Sequence, residues 1–124
     1  MILVDSNIFI AAFRKEENNH AKAMDLIMQA DEIILLDYVL GEVGTVLLYK
    51  EGKSVANKVM DFLTKSENIH IVQLNNNELV GTIDAFNRQS GKLSFVDMAL
   101  FVVASQRKIK LITFDFALNK MIKQ

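Results

Sequence analysis

The chain has 124 residues, 14 basic against 15 acidic for a net charge of −1, 51% hydrophobic and 23% charged, with no cysteine and no proline. These totals suit one soluble domain spanning 1–124, large enough to bury a core. They argue against a strongly basic nucleic-acid binder and exclude a disulfide scaffold or a thiolate metal site. No apolar run reaches the ~18 residues of a membrane span, and the opening MILVDSN lacks the basic lead of a signal peptide. A cytoplasmic protein is expected.

The first four residues, MILV, read as a buried strand that stops at the turn Asp5-Ser6-Asn7. A short helix follows over 8–13, then a solvated loop RKEENN over 14–19. Residues 21–30 carry a helical apolar stripe. IILL at 33–36 is a second buried strand. Asp37 caps a helix over 38–50, which ends near Gly52. Another amphipathic helix covers 55–63. IHIVQL at 69–74 is a third strand, and 75–77 start a helix that runs to 87 and stops near Gly91. A helix over 94–107 leads to a fourth strand, KLITF at 110–114, and a short helix over 115–122. Strands alternate with helices throughout, the pattern of a parallel sheet with right-handed crossovers and helices on both faces.

Residues 93–105, LSFVDMALFVVAS, are almost wholly apolar yet contain Asp97. Burying an unpaired carboxylate costs several kcal/mol, roughly. At helical spacing its neighbours are Leu93, Ser94, Leu100 and Phe101, none of them basic. Either Asp97 caps its own helix or it shares a cation with other segments. Three further acids also lack a basic neighbour. Asp5 and Asp115 end the first and fourth strands, at the edge where open α/β sheets bind ligands. Asp97, in the first turn of the helix feeding the fourth strand, points to that edge. Glu42 borders the apolar stripe of its helix beside Tyr38, Val39, Thr45 and Val46. By contrast, Asp61 and Asp84 stand near Lys65 and Arg88, as solvated helix pairs do.

Each of the four has a structural reading. Asp5 and Asp115 fit helix N-caps, and Ser94 with Asp97 fits a capping box. Glu42 has neither a cap nor a local pair. Taken together, the four suggest a site. Carboxylates this close repel one another unless a cation joins them. His20 and His70 stand far apart, so the ligands would be oxygens, favouring Mg²⁺ or Mn²⁺. With four of the 15 acids held around metal, 11 remain against 14 basic residues, a surplus of three that permits weak phosphate attraction. Such an ion activates water and stabilises charge developing on a phosphodiester. No Gly-rich phosphate loop and no Ser-His or Cys-His pair offers another chemistry.

The segments 2-ILVDSNIFI-10, 39-VLGEVGTVL-47, 93-LSFVDMAL-100 and 111-LITFDFAL-118 give the chain its resemblance to the PIN-domain ribonucleases, of the small VapC-like kind found as toxins in prokaryotic toxin–antitoxin pairs. The likeness covers nearly the whole chain. It implies a Rossmann-like three-layer α/β sandwich with a central parallel sheet of four to five strands. It also implies Mg²⁺- or Mn²⁺-dependent cleavage of RNA, a homodimer, and a small antitoxin whose basic side chain would enter the acidic cleft. The family's acidic catalytic and metal-binding positions fall on Asp5, Glu42, Asp97 and Asp115. Asn7, Ser6, Ser94 and Thr113 would position ligands or water. The chain departs from the family in two places. Little sequence follows the last helix to supply a fifth strand, and the segment after Asp115 is the apolar FAL where many members carry a charge.

Other residues read as structural. Gly41 and Gly44 suit close helix packing, the methionines core filling, and Tyr38 and Tyr49 packing rather than base stacking. His20 suits a surface or capping place. Arg14, Lys15, Lys50 and Lys53 read as solvated, with phosphate contact the alternative. A haloacid-dehalogenase-type phosphatase would need D-x-D where the chain has Asp5-Ser6-Asn7. A receiver domain would need an Asp where it has Leu74-Asn75-Asn76. The remaining rival is a non-catalytic RNA- or protein-binding domain with a vestigial site.

Overall fold

The computed structural model describes residues 1–123. Its elements run β1 (Ile2–Val4), α1 (Ser6–Phe13), α2 (His20–Gln29), β2 (Ile33–Leu36), α3 (Asp37–Glu51), α4 (Lys53–Lys65), β3 (Ile69–Val72), α5 (Asn76–Arg88), α6 (Phe95–Arg107), β4 (Lys110–Ile112) and α7 (Phe116–Ile122). Among the described residues the sheet has four strands, all parallel, in the order β3-β2-β1-β4. Ile2 stands opposite Ile33 on one side and Lys110 on the other.

This order follows from the apolar runs. β2 is buried along its whole length, and Leu3 and Val4 of β1 are buried too, as central strands must be. His70, Ile71 and Lys110 on the two edge strands reach solvent. The chain steps outward from β1 to β2 to β3, then crosses back over the sheet to β4. With right-handed crossovers that reversal puts the helices on both faces. The packing agrees: α1 to α4 form one group, and α5, α6 and α7 another. The reversal leaves the C-terminal ends of β1 and β4 side by side at the switch point, where a crevice forms.

α6 is the helix the core is built around. Met98, Ala99, Leu100, Val102 and Val103 are buried, and Ser94 caps it. It ends on Lys108 in the left-handed conformation, φ 57°. The kink between α3 and α4 is Gly52 alone, at φ 92°, a conformation that favours glycine. A Cβ on Gly44 would stand 2.7 Å from the Met60 methyl, so α3 and α4 do pack closely there. At Gly41 a Cβ would meet nothing within 4 Å, so close packing does not explain that glycine.

Several boundaries shift. Residues 73–74 and 113–114 fall outside the strands, because the ladder ends one or two residues before the apolar pattern does. Asp37 is the first helical residue rather than the cap. Leu36 takes the cap position, and Asp37 accepts a hydrogen bond from the Tyr38 N–H at 2.8 Å. Met98 is the methionine buried in the core, whereas Met28 is exposed. Tyr38 packs edge-on against Phe95 at 5.9 Å, but Tyr49 lies open to solvent. Among the described residues no helix is long and apolar enough to cross a membrane.

Candidate active site

Asp5 directly follows β1, and the β1–β4 ladder continues onto it through its N–H to the Ile112 carbonyl at 3.0 Å. It is only 4% exposed. One carboxylate oxygen, Oδ1, accepts from the Ser6 N–H at 2.7 Å and so caps α1. The other, Oδ2, accepts from the Thr113 hydroxyl at 2.7 Å and from the Asn7 amide at 3.4 Å. No Lys or Arg pairs with it among the described residues. Burial pushes its carboxyl above the ordinary aspartate value. Asp97 and Asp115 add to the rise, while the bonds from Thr113 and Ser6 oppose it.

Thr113 is the hinge of this end of the sheet. Its hydroxyl oxygen accepts from the Asn7 amide at 3.2 Å and from the Asp115 N–H at 3.0 Å. Its own proton is thereby directed at Asp5. Asn7 spans the gap between the β1 and β4 turns, since its Oδ1 accepts from the Phe114 N–H at 3.1 Å. Asn119, one turn into α7, donates to the Thr113 carbonyl at 2.9 Å. Sequence reading missed Asn119. The available signal was its place four residues after Asp115, on the same helical face.

The other acids also sit at helix starts. Asp97 accepts from the Ser94 N–H at 2.9 Å, and its own N–H donates to the Ser94 hydroxyl at 3.0 Å. Asp115 caps α7 by accepting from the Leu118 N–H at 2.8 Å. Asp5 and Asp115 therefore cap α1 and α7, and Asp97 completes the capping box of α6, while all three stand at the same edge of the sheet. In Asp97 and Asp115 the cap occupies one carboxylate oxygen. The second has no hydrogen-bond partner among the described residues. Three helix N-termini converge here, and their exposed N–H groups favour negative charge.

Glu42, on α3, is half-buried. Its carboxyl is raised mainly by burial and further by the charges of Asp5 and Asp97, with the Ser6 hydroxyl opposing. The Asp97 charge thus acts on both Asp5 and Glu42. All four predicted acids meet at one edge at electrostatic range. Among the described residues, however, no three carboxylate or histidine side chains stand close enough to hold one ion as placed. The donor set still fits a hard cation. It is all oxygen, it contains a buried aspartate with no basic partner, and two of its carboxylates keep a free oxygen.

The raised carboxyl of Glu42 makes a stability prediction. A carboxyl group whose folded pKa lies above its unfolded value supports folding while protonated. That support is lost as pH rises through the folded pKa. Glu42→Gln is therefore expected to stabilise the metal-free protein at neutral pH, with the gain fading as pH falls toward about 4. Urea denaturation in EDTA across a pH series reads this directly. A variant less stable than the parent at neutral pH would contradict an unpaired Glu42.

Arg14 is neither solvated nor free for phosphate. It bonds Glu16, Glu17 and Glu51 at 2.7–3.0 Å, tying the end of α1 to the end of α3. His20 Nδ1 lies 2.8 Å from the Ala11 carbonyl and so binds α2 to α1. Lys15, Lys50 and Lys53 are exposed.

The profile of the PIN domain matches residues 2–123. The chain belongs to the PIN domain family. Among curated proteins no sequence matches it. Among solved structures the PIN chain is similar to Mycobacterium tuberculosis VapC20, described as a sarcin-ricin loop cleaving toxin. The TM-score is 0.88 at 21% identity, over 98% of this chain and 95% of that one. It is also similar to Rickettsia felis VapBC2 bound to a DNA fragment from its promoter (TM-score 0.69, 16% identity, 97% and 92% covered). A third is FitAcB from Neisseria gonorrhoeae (TM-score 0.69, 14% identity, 99% and 94% covered). At these identities the likeness establishes a VapC-like PIN fold, with the four-stranded sheet described above.

Proposed function

We propose that this PIN domain is a Mg²⁺- or Mn²⁺-dependent endoribonuclease of the cytoplasm, the toxin of a toxin–antitoxin pair, with Asp5, Glu42, Asp97 and Asp115 as its acidic site. The observation that carries this is Asp5, buried with no basic partner and crowded by Asp97 and Asp115. A buried carboxylate in that position is costly unless a cation completes it. The VapC-like fold supports the same reading, as does the likeness to VapC20, described as a sarcin-ricin loop cleaving toxin.

A bound divalent ion would supply activated water and neutralise charge developing on the phosphate. The protein's own part is orientation. Ser6 and Thr113 hold Asp5 by both oxygens, Ser94 holds Asp97, and Asn7 fixes the two turns against each other. Attack of water oxygen on phosphorus forms one P–O bond, and the leaving oxygen departs as the other breaks and takes a proton.

Two partners belong to this proposal. An antitoxin would cover the cleft and place a basic side chain among the carboxylates; that a structurally similar chain comes from a toxin–antitoxin complex of Klebsiella pneumoniae supports such a partner. A second copy would bury the exposed apolar residues Leu79, Val80, Ile83 and Phe86, which share a face of α5 at helical spacing.

The test is purified, partner-free protein with single-stranded and structured RNA, in Mg²⁺, in Mn²⁺ and in EDTA, with light scattering on the same sample. Metal-dependent cleavage by a dimer is expected. Absence of both cleavage and metal binding would overturn the nuclease and favour a binding module. A monomeric mass would remove the dimer.

A further inference from the structure

We propose that the outer edge of β4 takes up an extended, acidic segment of a partner protein, which pairs with the sheet as an added strand. None of the four acids of the candidate site lines this surface, so it stands whether or not the chain is a nuclease.

β4 ends the sheet, and its one neighbouring strand among the described residues is β1. On that side the Ile112 carbonyl accepts from the Asp5 N–H. Backbone groups of successive residues in a strand face opposite edges, so those of Leu111 face outward. Two residues to either side, the outward groups are served within the chain. The Ile109 N–H donates to the Ala104 carbonyl at 3.0 Å, and the Thr113 carbonyl accepts from the Asn119 amide at 2.9 Å. Leu111 is left with one N–H and one C=O and no strand beside them among the described residues. That pair is what an added strand bonds. A groove of about 340 Å³ follows the same edge. It lies between α6, which contributes Phe101 and Ser105, and α7, which contributes Ile122, with Ile109 and Leu111 on the strand side. Its apolar lining suits one face of an extended chain whose side chains alternate.

Charge names the partner. Lys110 and Lys123 also line the groove. Four of the chain's 14 basic residues, Lys108, Lys110, Lys120 and Lys123, fall within residues 108–123, where Asp115 is the sole acid. Lys108, Lys110 and Lys123 are exposed, and among the described residues none of them forms an ion pair. A chain of net charge −1 thus gathers unengaged positive charge along one sheet edge. Lysines there disfavour a second copy, whose own lysines would be brought against them, and favour a strand that carries carboxylates. Phosphates would meet the lysines too, but an apolar groove beside an unpaired N–H and C=O matches a peptide backbone and its side chains.

The probe is a short labelled peptide of alternating valine and glutamate, with a counterpart carrying lysine for glutamate and another N-methylated at alternate residues. Binding is followed by fluorescence anisotropy, and exchange of the Leu111 amide by NMR. The variants are Ser105→Tyr, which fills the groove from an exposed position, and Lys110→Glu/Lys123→Glu. Lys15→Glu/Lys58→Glu, which reverses two exposed lysines elsewhere, is the control. The parent is expected to bind the acidic peptide and to exchange its Leu111 amide roughly tenfold more slowly when bound. Lys110→Glu/Lys123→Glu should weaken binding roughly tenfold and take the lysine peptide instead, with the control little changed. N-methylation should weaken binding roughly fivefold, and Ser105→Tyr should weaken it as well. No binding at about 1 mM peptide, binding that leaves the Leu111 amide unprotected, or an equal loss in the control would overturn the proposal. Protection of Leu111 without peptide, growing with protein concentration, would assign the edge to a second copy. An oligoribonucleotide bound at this edge where the peptide is not would assign it to RNA. Either result would overturn the acidic strand.

Discussion

On the proposed nuclease reading, replacing Asp97 with Asn is expected to leave the protein folded and to lower metal-dependent cleavage of RNA by roughly a hundredfold or more. Asp97 is the best probe because its two roles can be separated. The capping bond needs only an oxygen to accept from the Ser94 N–H, and an Asn carbonyl supplies one. The stability loss should stay near ~0.5 kcal/mol, the value of one negative charge at a helix N-terminus. The oxygen facing the cleft is what the substitution alters, together with the charge that Asp5 and Glu42 both feel. Ser94→Ala reverses the pattern. It removes the hydroxyl that accepts from the Asp97 N–H, costs about 1 kcal/mol, and spares the carboxylate. Cleavage rates and urea midpoints for both variants give the test. An Asp97→Asn protein that still cleaves at the parent rate would remove Asp97 from the site.

Asp5→Asn is a poorer probe for a structural reason. Thr113 directs its proton at Oδ2, and the Asn7 amide lies on the same oxygen. An amide nitrogen there would set donor against donor and strain the β1–β4 turn. Loss of activity in that variant would mix lost chemistry with lost geometry.

The strands, their order of appearance and the four acids were legible because buried parallel strands write continuous apolar runs. An acid without a basic neighbour also stands out against them. The capping roles of Asp5, Asp97 and Asp115 were legible for the same reason. What sequence could not give was the exposure of single residues. Phe116, Met28 and Tyr49 are apolar or aromatic residues in helices, and whether each is covered depends on helix rotation against the sheet. Arg14 looked solvated within RKEENN, yet Glu51, distant in sequence, completes its partners. Glu78 was hidden likewise, since its partner Arg107 lies on the next helix, 29 residues on. The free glycine at Gly41 is a further case. Its openness follows from where α4 crosses α3, at Gly44.

Arg107→Ala should be the most damaging single change outside the acidic site. Glu78 is 0% exposed. Its carboxylate accepts from Arg107 Nε at 2.6 Å and Nη2 at 2.8 Å, and from the Asn75 N–H at 2.9 Å. Arg107 also donates to the Gln73 carbonyl at 3.0 Å. The pair therefore clamps the start of α5 to the end of α6 and closes the β3–α5 turn. Removing the guanidinium leaves a buried carboxylate uncompensated, at a cost of about 3 kcal/mol. That is a large share of the ~5–15 kcal/mol that holds a domain together. Glu78→Gln should cost less, because its amide oxygen can still accept from Asn75 and no buried charge is orphaned. The two can also be told apart by pH. The Arg107 hydrogen bond holds the Glu78 carboxyl below its ordinary value, despite opposing burial. A carboxyl with a lowered folded pKa stabilises the fold above its unfolded pKa, near ~4.3, and loses that contribution as pH falls through the folded one. The gap between parent and Arg107→Ala should thus be widest at neutral pH and narrow in acid, where the orphaned carboxyl takes up a proton. Urea denaturation at a series of pH values measures both features. A neutral-pH loss under about 1 kcal/mol, the range of an ordinary surface ion pair, would mean that the clamp bears little of the load between α5 and α6.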